Sequence, residues 1–244
     1  MIVTAKAKLI RFTENPESTI ALASKLCYSS LGMDELIERI EGGDNAKFIK
    51  MLKTMNHLSP FEHASFTFSV EGVSRAFLAQ VTRHRIASFS VRSQRYVGES
   101  DFNYIVPPAI ADLGDSAKEE FVEQMRTVSQ WYNAWQERLG GGERANEDAR
   151  FVLPNACETK MILTMNAREL MHFFSLRCCN RAQWEIRDVA WQMLSQVLEV
   201  APDVFEGCGP TCLTGACSEG KKSCGKAALV RERYERLKEC AKGE

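Results

Sequence analysis

From Ser65 to Glu71 apolar and polar residues alternate, Phe66, Phe68 and Val70 against Thr67, Ser69 and Glu71, which is the two-residue period of a strand with one buried face. Ile2 to Phe12 carries a weaker form of the same pattern and predicts a second strand. Elsewhere the period lengthens. Phe121, Met125, Val128, Tyr132, Trp135 and Leu139 recur at steps of four and three, as do Ile186, Val189, Ala190, Met193, Leu194 and Val197, so each set forms one apolar stripe along a helix. The first helix is predicted to end at Gly140-Gly141-Gly142 and the second before Pro202. Asn166, with Glu169 three residues later, forms a capping pair that predicts the start of a third helix. A few strands among long helices, without regular strand-helix alternation, predict an α+β fold rather than a doubly wound sheet.

The chain has 244 residues, 45% of them hydrophobic, enough for one large domain or two small ones with a buried core. Lys and Arg number 31 against 32 for Asp and Glu, so no global field draws the chain to nucleic acid or an anionic membrane, and neither is an expected partner. Any anion site has to be local. Lys6, Lys8 and Arg11 interrupt the N-terminal segment where a signal peptide would be apolar, and no run approaches the roughly 18 residues that span a bilayer, so a cytoplasmic protein is expected. Nine cysteines in a chain able to bury its own core are expected to be reduced thiols. Five of them lie beyond residue 207. Cys208, Cys212, Cys217 and Cys224, separated by three, four and six residues in a glycine-rich stretch, could satisfy tetrahedral zinc. Their spacing is not the paired C-x-x-C of a zinc ribbon, and the expected state is metal-free.

Chemistry concentrates between Arg83 and Arg95, where Arg83, Arg85, Arg92 and Arg95 accompany His84 with no acid among them. Arginine offers a planar fork matched to phosphate oxygens, and Ser88, Ser90, Ser93 and Gln94 add neutral donors; the alternative is a solvated basic turn. Gln80, Arg83 and His84, at i, i+3 and i+4, are predicted to share one helix face. The histidines are His57, His63, His84 and His172, of which the first two flank Ser59-Pro60-Phe61-Glu62 and the last follows Arg168 by four residues, opposite Phe173 and Phe174. No two have the spacing of a helical zinc pair, and no metal is predicted. Ser93 lies in no G-x-S-x-G turn and is read as a hydrogen-bond donor rather than a nucleophile. With neither a dinucleotide glycine fingerprint nor a Walker loop, a bound nucleotide has to be held by side chains.

The run Arg83-His84-Arg85, then seven residues, then Ser93-Gln94-Arg95-Tyr96 resembles the signature of the flavin-dependent thymidylate synthases. NHLSPFEHASFTF from Asn56, ARFVLPNACET from Ala149, and NARELMHFFSLR with AQWEIR between Asn166 and Arg187 agree with it. The resemblance covers the chain to about residue 205, which implies a catalytic domain over 1–206 and a cysteine-rich extension over 207–244 ending in a helix. It implies a single α+β catalytic domain, an antiparallel sheet flanked by long helices, in a homotetramer with sites shared between subunits. The implied reaction is reductive methylation of dUMP to dTMP, with methylenetetrahydrofolate as carbon donor and FAD reduced by NADPH as hydride source. A non-catalytic flavin- or nucleotide-binding protein is the alternative. Carried over by position, Arg83, His84 and Arg85 contact FAD, with His57 beside the isoalloxazine as a catalytic group, Ser59 near it, and Asn166, Arg168 and His172 completing the site. Gln80, Ser93, Gln94, Arg95 and Arg150 hold dUMP. Arg177 lies over the uracil and stabilises charge developing on its oxygens. Many relatives carry Asn-Glu where this chain has Ser90-Val91, so no carboxylate stands there. The helix from Asp115 to Leu139 is a candidate for the tetramer interface.

Overall fold

Strand β1 (Lys6–Phe12) and strand β2 (Ser65–Ser74) realise the two alternating segments, and β3 (Ala87–Val91) and β4 (Glu158–Asn166) complete a sheet of order β1-β2-β4-β3 in a computed structural model that describes residues 1–241. Register identifies β2 and β4 as antiparallel: the hydroxyls of Thr67 and Thr164 share a hydrogen bond of 2.9 Å, while the Gly72 N–H donates to Glu158 Oε1 at 3.0 Å. The N-terminal strand begins at Lys6 rather than Ile2, which instead makes an isolated parallel bridge to Tyr104.

The alternation in β2 breaks at Gly72, where the backbone turns to φ +66° and a Cβ would lie 2.0 Å from the Thr4 carbonyl oxygen. Only glycine tolerates both that dihedral and that approach. Two residues on, Ser74 Oγ accepts from the Phe77 N–H at 3.0 Å and starts the next helix.

The described residues divide into two units, between which β2 and β4 each continue. One comprises Met1–Lys6, Val70–Arg83 and Phe89–Ile162; the other comprises Ala7–Ser69, His84–Ser88 and the chain from Leu163 onward. The second unit contains α1 (Pro16–Leu26), α2 (Met33–Glu41) and α3 (Ala46–Thr54). The first contains α4 (Arg75–Val81), α5 (Pro108–Ala111), α6 (Asp115–Arg138) and α7 (Gly142–Ala149). To the second belong also α8 (Ala167–Arg177), α9 (Trp184–Val200), α10 (Pro202–Phe205) and α11 (Ala227–Ala241).

In the first unit Phe102, Met125 and Cys157 form a buried cluster with Phe121, Val128 and Tyr104 against it. Of the predicted stripe on α6 only Met125 and Tyr132 are fully buried; Trp135 and Leu139 remain exposed. In the second unit the core is aromatic, with Phe66 edge-on to Phe205 at 5.2 Å, Phe205 to Phe174 at 6.0 Å and Phe174 to Phe173 at 5.8 Å. The predicted stripe on α9 is buried throughout, and the helix stops at Val200, two residues before Pro202, as its missing N–H and ring require. α11 packs on α9 through Val230 and Tyr234, with the Tyr234 hydroxyl accepting from the Gly207 N–H at 2.6 Å. Among the described residues no helix is long and apolar enough to cross a membrane.

Candidate functional site

The junction of β4 and α8 gathers Asn166, Glu169, His84 and Arg177 into one polar arrangement. Asn166 caps α8 as predicted, its Oδ1 accepting from the Glu169 N–H at 2.9 Å, but the Glu169 carboxylate does not return to the cap. It is buried, and its Oε1 lies 2.8 Å from His84 Nδ1. On the other side of the ring, Arg177 Nε donates to His84 Nε2 at 3.1 Å. A guanidinium can only donate, so Nε2 has to present its lone pair and the ring proton belongs on Nδ1, where Glu169 accepts it. Phe173 closes against the ring edge-on at 5.0 Å.

The same geometry sets the protonation of His84. Burial holds its pKa below the ordinary value of 6.5, the Glu169 hydrogen bond opposes that, and the Arg177 cation adds to the lowering. An unfolded chain takes up this proton near pH 6.5 while the folded one resists it, so the stability from neutral His84 is present above that pH and is lost as pH falls below it. The urea midpoint is expected to drop between pH 7.5 and 5.5, and His84→Gln to make that drop shallower. An equal slope in both proteins would remove His84 as its source.

The exposed face of α8 carries Arg168 and His172, as predicted, with Phe173 and Phe174 buried behind them. Arg168 pairs with Glu62, from the 3-10 turn Ser59–His63. These residues border a cavity of about 500 Å³ with an apolar floor of Leu58, Ile86 and Met171, into which Asn166 also faces. His57 lines a different cavity, of about 480 Å³, with Tyr28, Met51, Met55 and Arg39. Ser59 is exposed at the first position of the turn. His84, Glu169 and His172 are the only His, Cys, Asp or Glu donors among the described residues that bring three ligand atoms within 4.8 Å. Both nitrogens of His84 are already committed, which leaves it no lone pair for a metal.

The expectation that Gln80, Arg83 and His84 share a helix face is not met. α4 ends at Val81, where the Thr82 hydroxyl bonds back to the Leu78 carbonyl at 2.8 Å and the chain turns toward β3. Gln80 remains on the helix, its amide donating to the Ala76 carbonyl at 3.1 Å, while His84 is buried and Arg83 and Arg85 are exposed in the turn. Neither arginine has a carboxylate partner among the described residues.

The first unit gathers the remaining predicted residues around α7. Ser93 Oγ accepts from the Arg95 and Tyr96 N–H groups at 3.2 and 3.4 Å, so this serine organises its own turn. Gln94 is buried, with its amide on Cys157 Sγ at 3.4 Å. Arg95 reaches α7, 2.7 Å from Glu143 and 3.2 Å from Glu147, and Arg150 Nε donates to the Glu147 carbonyl at 3.1 Å. Arg95 and Arg150, 55 residues apart in sequence, therefore both contact α7, Arg95 through the side chains of Glu143 and Glu147 and Arg150 through the Glu147 carbonyl.

A buried network missed in the sequence holds that turn. The Glu99 N–H donates to Tyr132 Oη at 3.1 Å, Tyr132 donates to Asn146 Oδ1 at 3.0 Å, and Asn146 Nδ2 donates to the Arg95 carbonyl at 3.0 Å. Glu99 Oε2 accepts from Arg92 at 3.2 Å, whereas Oε1 is buried without a hydrogen bond, and burial raises the pKa of this acid. Tyr132 reads in the sequence as one more apolar position of a helix, and only its hydroxyl hinted at a polar partner.

Comparison with known proteins follows the same residues. The family model described as thymidylate synthase complementing protein matches residues 8–203. A flavin-dependent thymidylate synthase of Clostridium tetani is 48% identical over 94% of this chain and 96% of its own length, and one of Geobacter sulfurreducens is 48% identical over 95% and 99%. Among solved structures, a UMP/dUMP methylase from Streptomyces cacaoi bound with 5-Br dUMP superposes with a TM-score of 0.68 at 26% identity, covering 84% of this chain and 95% of that one.

Proposed function

Since the chain belongs to the flavin-dependent thymidylate synthase family, we propose that it methylates dUMP reductively to dTMP, with methylenetetrahydrofolate as carbon donor, FAD as the flavin and NADPH as its reductant. The observation that carries the reading is Arg177, whose guanidinium is oriented by a neutral His84 that is itself oriented by Glu169. A cation fixed in this way needs no reorganisation to stabilise negative charge developing on the uracil oxygens.

The residues fit a flavin. The cavity beside α8 combines apolar walls with Arg168, His172 and Asn166, and Arg83 and Arg85 are exposed cations with no carboxylate partner among the described residues, suited to phosphate oxygens. When bound, FAD supplies the hydride. His57 and Ser59 belong to the flavin side of this proposal, with His57 assigned a catalytic part beside the ring. His84, with both ring nitrogens engaged internally, serves by positioning Arg177 and by setting the turn that exposes its two neighbouring arginines.

Arg95, Arg150, Ser93, Gln94 and Gln80 are assigned to dUMP, the two arginines to its phosphate. The pairs from Arg95 to Glu143 and Glu147 are about half exposed, and solvent screens such pairs, so a dianionic phosphate can displace them. Gln94 and Ser93 hold the turn that presents Arg95. A cytosolic homotetramer with sites shared between subunits accompanies this reading, and the exposed Trp131 and Trp135 on α6, with Leu139 just beyond its end, supply an apolar surface suited to a subunit contact. The catalytic part is assigned to residues 1–206 and the remainder to an extension.

The purified chain is expected to be yellow, to bleach when NADPH is added anaerobically, and then to form dTMP from dUMP and methylenetetrahydrofolate. A flavin-loaded protein that bleaches yet makes no dTMP would favour the non-catalytic binding protein, and a colourless one that cannot be loaded with FAD would defeat the synthase and leave only a nucleotide-binding protein.

A further inference from the structure

The turn that carries Arg95 is closed at its ends and fastened in its middle. Arg92 and Glu99 pair across the ends at 3.2 Å, and the Arg92 N–H donates to the Lys160 carbonyl of β4 at 2.9 Å. Just beyond Glu99, the Ser100 carbonyl accepts from Ser129 and Asn133 of α6 at 2.5 and 3.2 Å. In the middle, the Arg95 carbonyl accepts from Asn146 Nδ2 of α7 at 3.0 Å.

Asn146 can serve this carbonyl because its own amide is held. Its Oδ1 accepts from Tyr132 Oη at 3.0 Å and from Gln136 Nε2 at 2.7 Å, which decides that the NH2 end faces the turn. Tyr132 in turn accepts from the Glu99 N–H at 3.1 Å. Tyr132 and Asn146 are both buried, so each lost bond would leave a polar group unpaired away from water. Gly140, Gly141 and Gly142, at φ +85°, +73° and +77°, reverse the chain so that α7 packs on α6 and brings Asn146 to Tyr132. A Cβ at Gly98 would lie 3.4 Å from Gln136 Nε2 and 3.5 Å from Asn146 Oδ1, so the turn passes close over this network.

The two ends of Arg95 are therefore held in different ways. Its carbonyl is tied to α7 by a buried network, whereas its guanidinium rests on Glu143 and Glu147, which are half exposed on the same helix. We propose that Asn146, oriented by Tyr132, is a positioning residue that sets the selection of a nucleoside 5′-monophosphate over the nucleoside. It fixes the Arg95 backbone, so the guanidinium can leave the two carboxylates for a phosphate dianion while the turn stays in place. A turn free to move would lose part of the phosphate contact to its own ordering. The inference rests on the assignment of Arg95 to the dUMP phosphate, and neither Asn146 nor Tyr132 needs to touch the nucleotide.

The test compares dUMP with deoxyuridine, which lacks the phosphate, on flavin-loaded full-length protein. Asn146→Ala is expected to raise the Kd and KM for dUMP by about tenfold, while kcat, flavin occupancy and the inhibition constant of deoxyuridine stay within about twofold. A merely structural role would weaken both ligands and the flavin together. Should Asn146→Ala fail to fold, Tyr132→Phe, which keeps the buried ring and removes only the hydroxyl, carries the test with the same pattern at about threefold. In an Arg95→Ala background, Asn146→Ala should weaken dUMP no further, because both act through one contact. Arg95→Ala with wild-type affinity for dUMP would remove the phosphate assignment and this inference with it. If Arg95→Ala weakens dUMP but Asn146→Ala leaves it unchanged, or weakens deoxyuridine equally, the inference alone is overturned.

Discussion

Replacing Arg177 by alanine is expected to reduce turnover by about 10²–10³-fold in folded, flavin-loaded protein, the usual loss when one preorganised donor to a developing oxyanion is removed. The expectation rests on the hydrogen bond from Arg177 Nε to His84 Nε2 at 3.1 Å, which fixes the plane of the guanidinium before any substrate arrives. Lysine keeps the charge but has no Nε and no plane, so Arg177→Lys should recover little. An independent signature separates this role from a structural one. Arg177 is among the groups that lower the pKa of His84, so its loss removes a cation and frees Nε2 for a proton, and the pKa of His84 should rise. NMR titration of the His84 ring would show it. Turnover within threefold of wild type, with no movement of that titration, would end the assignment.

Arg83→Ala and Arg85→Ala are each expected to weaken FAD binding by roughly 10- to 150-fold, corresponding to about 1.5–3 kcal/mol for a hydrogen bond to a charged group. Both side chains are exposed and neither has a carboxylate partner among the described residues, so removing them breaks nothing internal. Thermal stability of the apoprotein should therefore change by no more than about 0.5 kcal/mol, in contrast to substitution of the buried residue between them. Absorbance of the flavin relative to protein after purification, followed by FAD titration of the apoprotein, measures the effect. Full occupancy in either variant would move the flavin phosphates elsewhere.

Period and punctuation were legible without coordinates. The alternation in Ser65–Glu71, the stripe on α9, the stop at Pro202 and the Asn166 cap each depend on a few consecutive residues and on local backbone chemistry, and each appears where the pattern puts it. The charge cluster from Arg83 to Arg95 and the motifs carrying the family resemblance were legible in the same way, because they are strings. Arg83, Arg85, Arg168 and His172 are all displayed at the surface, as binding residues have to be.

What the string could not contain was the partner of each side chain. Glu169 is spaced as a capping acid, yet its carboxylate serves His84, 85 residues away; Arg95 pairs with Glu147 only because α7 returns the chain to the turn after β3. Helical spacing placed Gln80, Arg83 and His84 on one face, and the early end of α4 undid that. Cys208 was drawn apart for the same reason: alike in the string to the other thiols of the extension, it was taken by the core, where its Sγ–H donates to the Val204 carbonyl. Local sequence determines which conformations a segment prefers, because those energies arise within a few residues. Burial decides which polar groups have to find one another, because a buried donor or acceptor left unpaired costs about 1–3 kcal/mol, and only the closed tertiary structure determines which groups are buried together.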